Sequence, residues 1–179
     1  EVKRSSNLYT QVFSKGKSLT EVEVSNGSAP DEHGTTIYFM PDKDIFGDSM
    51  FEFDVLAQRF KEMAYLNQGL TIHLRSEWHD DAWPFNDLTY MFDGGVQSFV
   101  RSLNRRRGAV HPNVMYAQET IDDVVVEVAM QYNDSFSETI FSYANNINTI
   151  EGGTHLTGFQ GALTRTLNAY IKKIPQFKN

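Results

Sequence analysis

The sequence predicts an α+β chain in two layers, and three observations lead there. Short alternating stretches bounded by turn residues recur along the chain, and longer stretches carry apolar residues at helical spacing. Their order is the third: strands first, then a helix and a strand, then a helix, three strands and a closing helix. With 179 residues, 40% of them hydrophobic and 22% charged, the chain has the size and composition of one globular domain or two small units.

Residues 8–13 and 20–24 alternate on either side of Lys15-Gly16-Lys17, which predicts a hairpin. Residues 25–34, SNGSAPDEHG, have the composition of a loop. Residues 35–40, TTIYFM, are β-branched and aromatic and predict a strand ended by Pro41, which has no ladder donor. In DVLAQRFKEMAYLNQG, Leu56, Phe60, Met63 and Leu66 recur at helical spacing, Asp54 is placed to cap the start and Gly69 to close the end. Residues 70–75, LTIHLR, predict a strand, and the polar segment 76–88, with Trp78 and Trp83, predicts an exposed loop and a domain boundary.

Beyond it, Asp93-Gly94-Gly95 leads into an amphipathic helix on Val96, Phe99, Val100 and Leu103, closed by Arg105-Arg106-Arg107-Gly108, where cations oppose the negative end of the helix dipole. Residues 114–120, 124–132 and 138–145 predict three strands, with Val124, Val126, Val128 and Met130 on one face and turns at Asp122-Asp123 and Asn133-Asp134. A last helix carries Leu156, Phe159, Leu163, Leu167, Tyr170 and Ile174 as its apolar stripe.

Charge narrows the function classes. The net charge is −7 and the pI about 5.2, without the basic excess from which tight nucleic-acid binders draw affinity. The acid is uneven: residues 1–85 hold 14 Asp/Glu against 8 Lys/Arg, residues 86–179 hold 9 against 8, so the two halves differ in character. There is no cysteine, hence no disulfide or thiolate chemistry, as suits a reducing cytosol. No apolar run approaches a membrane span, and residues 1–10 lack the apolar core of a signal peptide.

Few residues suggest chemistry by spacing. His33, His73, His79, His111 and His155 make no metal-ligand pairing with one another. His111-Pro112-Asn113 reads as a turn, and His155 as a first-turn helix residue bonded to a carbonyl. Gly152-Gly153-Thr154 before a helix is either an anion cradle or a tight turn with a cap, and lacks the lysine and spacing of a P-loop. Arg101 with Arg105, Arg106 and Arg107 forms the one basic cluster, a helix terminus or a patch for nucleic-acid backbone. No Ser-His-Asp arrangement emerges.

A series of longer strings, in order, carries more: GTTIYFMPDKDIF, RFKEMAYLNQGLTIHL, FDGGVQSFVRSLN, HPNVMYA, VEVAMQYND and NNINTIEGGTHLTGFQGALTRTLNAY. Together they resemble the B subunit of bacterial DNA gyrase over nearly the whole chain, with the related subunit of topoisomerase IV as the nearest competitor. The resemblance implies a junction piece. Residues 1–86 are similar to the C-terminal portion of a GHKL-type ATPase domain. Residues 87–179 are similar to the first part of a transducer domain with a ribosomal-protein-like αβ fold. It implies a cytoplasmic, ATP-hydrolysing type II topoisomerase, with DNA, gyrase A and a second copy of gyrase B as partners and no membrane. A non-enzymatic module with a borrowed transducer-like fold is the rival of a different class.

Three site residues follow from the same resemblance. Thr35, in Gly34-Thr35-Thr36-Ile37, takes the place of the threonine that fixes the adenine edge with an aspartate and water. Its hydroxyl suits the task because it both donates and accepts. Ile37 would line the pocket's apolar floor, and Arg4 would stand at the pocket mouth, where aminocoumarin inhibitors pack in the family. The family's Mg²⁺-binding asparagine, glutamate base, adenine-reading loop, glycine-rich lid and Gln-Thr-Lys lysine have no counterpart in these 179 residues. The resemblance thus implies ATP and Mg²⁺ for the full-length protein, no catalytic residue in this stretch, and no turnover by it alone. Where many relatives carry a basic residue after Gly-Phe in the last helix, this chain has Gln160, with Arg165 and the arginine cluster as other candidates to face DNA.

Overall fold

The computed structural model describes residues 1–27, 29, 31–78 and 86–177, the side chain of 177 excepted. Contacts divide the chain into two compact units, Glu1–Phe51 and Glu52–Asn179.

In the first unit, β1 (Val2–Arg4), β2 (Asn7–Thr10), β5 (Glu23–Asn26) and β6 (Gly34–Thr35) form an antiparallel sheet in the order β5-β2-β1-β6. Ser5 and Ser6, at φ 52° and 64°, turn β1 into β2 in the left-handed conformation that suits the twist of a two-residue hairpin. The hairpin expected around Lys15-Gly16 is present, with a small inner rung of β3 (Phe13–Ser14) and β4 (Lys17–Ser18) between the paired strands β2 and β5. The strand expected over 35–40 is shorter: Thr36 N–H still bonds the Glu1 carbonyl at 2.9 Å, but the ladder with β1 runs out there. Ile37, Tyr38, Phe39 and Met40 stand 73–89% exposed. A four-residue helix, α1 (Lys43–Phe46), went unforeseen; Asp42 caps it by accepting from Asp44 N–H at 3.0 Å.

The second unit is built on α2 (Phe53–Leu66). It starts at Glu52 rather than at an Asp54 cap, and Gly69, at φ 80°, supplies the left-handed residue after its end. β7 (Ile72–Arg75) is the expected strand. Its partner β8 (Asp87–Tyr90) was not expected, and its first two residues lie in the polar segment expected to be loop. Their ladder continues into Ser76 N–H to Asn86 O at 2.9 Å, so the expected boundary at 86/87 falls beside paired strands. Residues 79–85 of that segment, with His79 and Trp83, lie outside the described residues.

α3 (Gly95–Asn104), β9 (Met115–Ile121) and β10 (Val124–Met130) appear where periodicity put them. Asp122 and Asp123, at φ 48° and 64°, make the hairpin turn. The third strand expected over 138–145 reduces to β11 (Tyr143–Ala144), paired with β12 (Ile147–Asn148) through a turn at Asn145-Asn146. The last helix is α4 (Thr154–Ile171).

The core centres on α2. Phe53, Ala64, Tyr65, Leu74 and Val114 are the buried apolar residues among those described. The Tyr65 ring stacks on Phe92 at 3.6 Å and on Phe99 at 5.1 Å, and Phe99 meets Phe141 at 5.3 Å. Buried Asn104 donates to Gln131 Oε1 (3.0 Å) and accepts from Asn133 Nδ2 (2.8 Å), while Gln131 Nε2 donates to the His111 carbonyl (2.9 Å). This network ties the end of α3 to the end of β10, and its satisfied polar groups make the burial of Asn104 tolerable.

Tyr143 is the exception: its buried hydroxyl finds no hydrogen-bond partner among the described residues. Burial first, then the nearby Glu62 carboxylate, push its pKa up, with Arg59 opposing. A raised tyrosine pKa contributes stability below the ordinary tyrosine range that is lost as pH climbs through the folded value. Tyr143→Phe removes an unsatisfied group, so the variant should match or exceed the parent's stability by about 1 kcal/mol. It should also hold up better in alkali; melting curves at neutral and alkaline pH check both.

Candidate functional site

Strand register decides where the three expected site residues point. Directly paired residues share a face, and Val2 pairs with both Tyr9 and Thr35 while Arg4 pairs with Asn7. Tyr9 pairs with Val24 and Asn7 with Asn26. Val2, Arg4, Asn7, Tyr9, Val24, Asn26 and Thr35 therefore share one face of the first unit's sheet. Arg4 and Thr35 are both exposed on it. Ile37 lies past the last rung at 78% exposed, so the ladder itself does not fix its direction.

The opposite face carries Lys3, Leu8, Ser25 and Gly34. There Lys3 pairs with Glu32; the hydrogen bond and charge of each partner raise the lysine pKa and lower the carboxylate's. The pair lies at the surface, so it adds little to stability, and its share is lost as acid protonates Glu32. Among the described residues, the Arg4 guanidinium and Thr35 hydroxyl on the first face have no side-chain partner and stand beside apolar Val2, Tyr9 and Val24. That face can hydrogen-bond and pack against a planar ligand, but it holds no acid–base pair for chemistry.

The second unit offers two shallow grooves. One, about 260 Å³, lies between Phe159 of α4 and the Met115, Ala117, Val126, Val128 and Met130 face of the β9–β10 hairpin. The other, about 270 Å³, is lined by Ile140, Phe141, Thr149, Ile150, Gly152 and Leu156. Both are mainly apolar; Tyr116 and Glu119 also line the first, and Ser142, Asn148 and Thr149 the second.

Gly152-Gly153-Thr154 acts as a bend. Gly152 sits at φ 77°, Gly153 is the N-cap of α4, and its carbonyl accepts from Thr157 N–H at 3.1 Å. His155 opens the helix as expected, but its Nε2 meets the Thr149 hydroxyl at 3.2 Å rather than a carbonyl. His111 lies in its turn, with Nδ1 at 2.7 Å from the Asn113 carbonyl and Nε2 accepting from Tyr132 N–H at 3.0 Å. Its two partners require the neutral Nδ1–H tautomer. His73 lies between Thr89 (2.7 Å) and Asp87 (3.1 Å).

Among the described residues, no three His, Asp or Glu side chains gather as a metal site, and no helix is long and apolar enough to cross a membrane. In the basic cluster, Arg101, Arg105 and Arg106 are exposed and Arg107 donates to Thr139 Oγ1 at 2.8 Å. Gln160 and Arg165 are exposed on α4.

Residues 95–179 match the DNA gyrase B family. The chain is 46% identical over 179 residues to the DNA gyrase B subunit of Clostridium acetobutylicum, covering 99% of this chain and 27% of that protein. Its structure resembles the 43K ATPase domain of Thermus thermophilus gyrase B in complex with an aminocoumarin, at TM-score 0.82 and 31% identity over 96% of this chain and 46% of that one. It also resembles the topoisomerase IV ATP binding domain of Francisella tularensis in complex with a small molecule inhibitor, at TM-score 0.76 and 25% identity over 97% of this chain and 45% of that one. The chain thus spans about a quarter of the curated relative and under half of the solved ones.

Proposed function

We propose, from the match of residues 95–179 and the similarity to gyrase B proteins along 99% of this chain, that it belongs to the DNA gyrase B family and forms the joint between the ATP-binding head and the DNA-gating body of an ATP-dependent type II topoisomerase. Residues 1–86 then complete the ATPase domain and residues 87–179 begin the transducer. Nucleotide-driven pairing of two gyrase B chains passes through packed elements to the DNA held with gyrase A, in the cytoplasm. The observation that carries this reading is the 46% identity along 99% of the chain.

ATP supplies the free energy of the cycle. The chain's own residues fit it in part: the Thr35 hydroxyl would hold the adenine edge, Ile37 would lie under the base, and Arg4 would close the mouth of the pocket. An exposed hydroxyl and guanidinium on one sheet face support that arrangement. The Mg²⁺ that accompanies the nucleotide would be held by residues elsewhere in the full-length protein; among the described residues no three His, Asp or Glu side chains gather as a metal site. The chain therefore binds and positions, and the proton transfers of hydrolysis belong elsewhere in the full-length protein. The apolar run Ile37–Met40 and the open valines of β10 suit a segment meant to pack inside a larger protein.

The test is the full-length protein, reconstituted with its gyrase A partner, on relaxed circular DNA. ATP-dependent negative supercoiling is the expected result. Decatenation without supercoiling would reassign the chain to topoisomerase IV, and no ATP-dependent strand passage at all would overturn the reading.

A further inference from the structure

One hydrogen bond in the second unit joins side chains 79 positions apart: Asn146 Nδ2 donates to Asn67 Oδ1 at 3.2 Å. Asn67 is the C-cap of α2, and both its backbone N–H (3.0 Å) and its side-chain Nδ2 (2.7 Å) donate to the Met63 carbonyl. That double bond to one carbonyl fixes the amide and leaves Oδ1 aimed away from the helix as an acceptor.

Asn146 sits at the tip of the β11–β12 hairpin with φ 68°, after Asn145 at φ 48°. Glycine adopts that conformation without penalty and is the favoured residue at the second position of such a turn. Asparagine there is explained by what its side chain touches. The hairpin is held rigid from below by Thr149 N–H to Ser142 O (2.8 Å) and the Ser142–Thr149 hydroxyl pair (2.6 Å). Phe141 beneath it packs on Phe99, and Tyr143 lies close enough to Glu62 and Arg59 of α2 to feel their charges. The aromatic contacts give adhesion without direction, whereas the amide pair fixes the register of the hairpin on the helix end.

On the division proposed above, α2 belongs to the ATPase side and the hairpin to the transducer side. We propose that Asn67 and Asn146 form a positioning latch: it holds the transducer hairpin in register on the last turn of α2, so that movement of the nucleotide-binding side is passed on to the DNA gate rather than lost as slippage. This rests on the functional reading given above.

The experiment compares Asn146→Gly with Asn145→Gly in the full-length protein reconstituted with its gyrase A partner. Glycine keeps the left-handed turn in both, so both hairpins fold, and only the first loses the latch. Two quantities are read: ATP consumed per supercoil introduced, and hydrogen exchange of residues 63–69 and 142–149. One net hydrogen bond corresponds to roughly a three- to ten-fold change in an equilibrium. Asn146→Gly is expected to raise ATP consumption per supercoil by about that factor and to speed exchange in both segments, with DNA-independent hydrolysis unchanged. Asn145→Gly is expected to move neither. Unchanged coupling in Asn146→Gly overturns the latch, whether or not exchange quickens, and equal loss in both variants overturns it in favour of general hairpin stiffness. A parent enzyme without ATP-dependent strand passage fails the functional reading itself and removes the coupling role with it.

Discussion

Thr35→Val weakens the affinity of the full-length protein for ATP by about ten- to a hundred-fold and leaves kcat for the bound nucleotide nearly unchanged. Valine has the shape of threonine and is at least as content in a strand, so the β1–β6 pairing at Val2 and Thr35 survives. What disappears is a hydroxyl that donates and accepts at once. On the proposed reading, the groups it would serve at the adenine edge are left without a partner, at a cost of about 1–3 kcal/mol, and each 1.4 kcal/mol is about ten-fold in affinity. Because the bond is made equally in ground and transition states, the loss appears in binding rather than in turnover. Titration calorimetry with a non-hydrolysable ATP analogue measures it; affinity within two-fold of the parent would remove Thr35 from the site.

Tyr65→Ala strongly destabilises the second unit. The residue is 5% exposed and its ring is stacked between Phe92 and Phe99, with Phe141 extending the cluster. Truncating a buried aromatic to alanine costs about 3–5 kcal/mol, and the lost stacking contributes within that range. The described residues bury few other apolar side chains, so no alternative core takes up the load. Denaturant titration of the full-length protein should show the loss in the transition that includes this region. A change below about 1 kcal/mol would mean that the aromatic cluster is not the core of the second unit.

These two sites were not equally legible in the sequence. Long periodic segments declared themselves: α2, α3, α4 and the β9–β10 hairpin stand where apolar spacing put them, because each lines its apolar residues along one face, even where, as on α4 and β9, that face is left open. Short strands did not. β8 is four residues that begin at the end of a polar stretch, and only its pairing with Ile72–Arg75 makes it a strand. Residues 36–40 have every local preference for a strand, yet strand formation needs a neighbour, and β1 reaches no further than Glu1 opposite Thr36.

The site divided in the same way. Spacing alone left Thr35 as an ordinary strand residue and put Arg4 in no element; register brings them to one face, and the family resemblance implies a ligand for it. The turn at Asn145-Asn146 was missed, since Asn145 closed an expected strand, and the contact of Asn146 with Asn67 spans too much sequence for any local pattern to announce. The orphaned hydroxyl of Tyr143 is likewise a property of packing.

Hydrogen exchange on the full-length protein, with and without a non-hydrolysable ATP analogue, tests the joint most directly. If residues 1–51 carry an edge of the nucleotide site, the segments 2–10 and 34–40 gain protection when nucleotide binds, and protection spreads to residues 63–69 and 142–149 as the two sides lock. Nucleotide that binds tightly yet leaves exchange throughout residues 1–51 untouched would contradict the account.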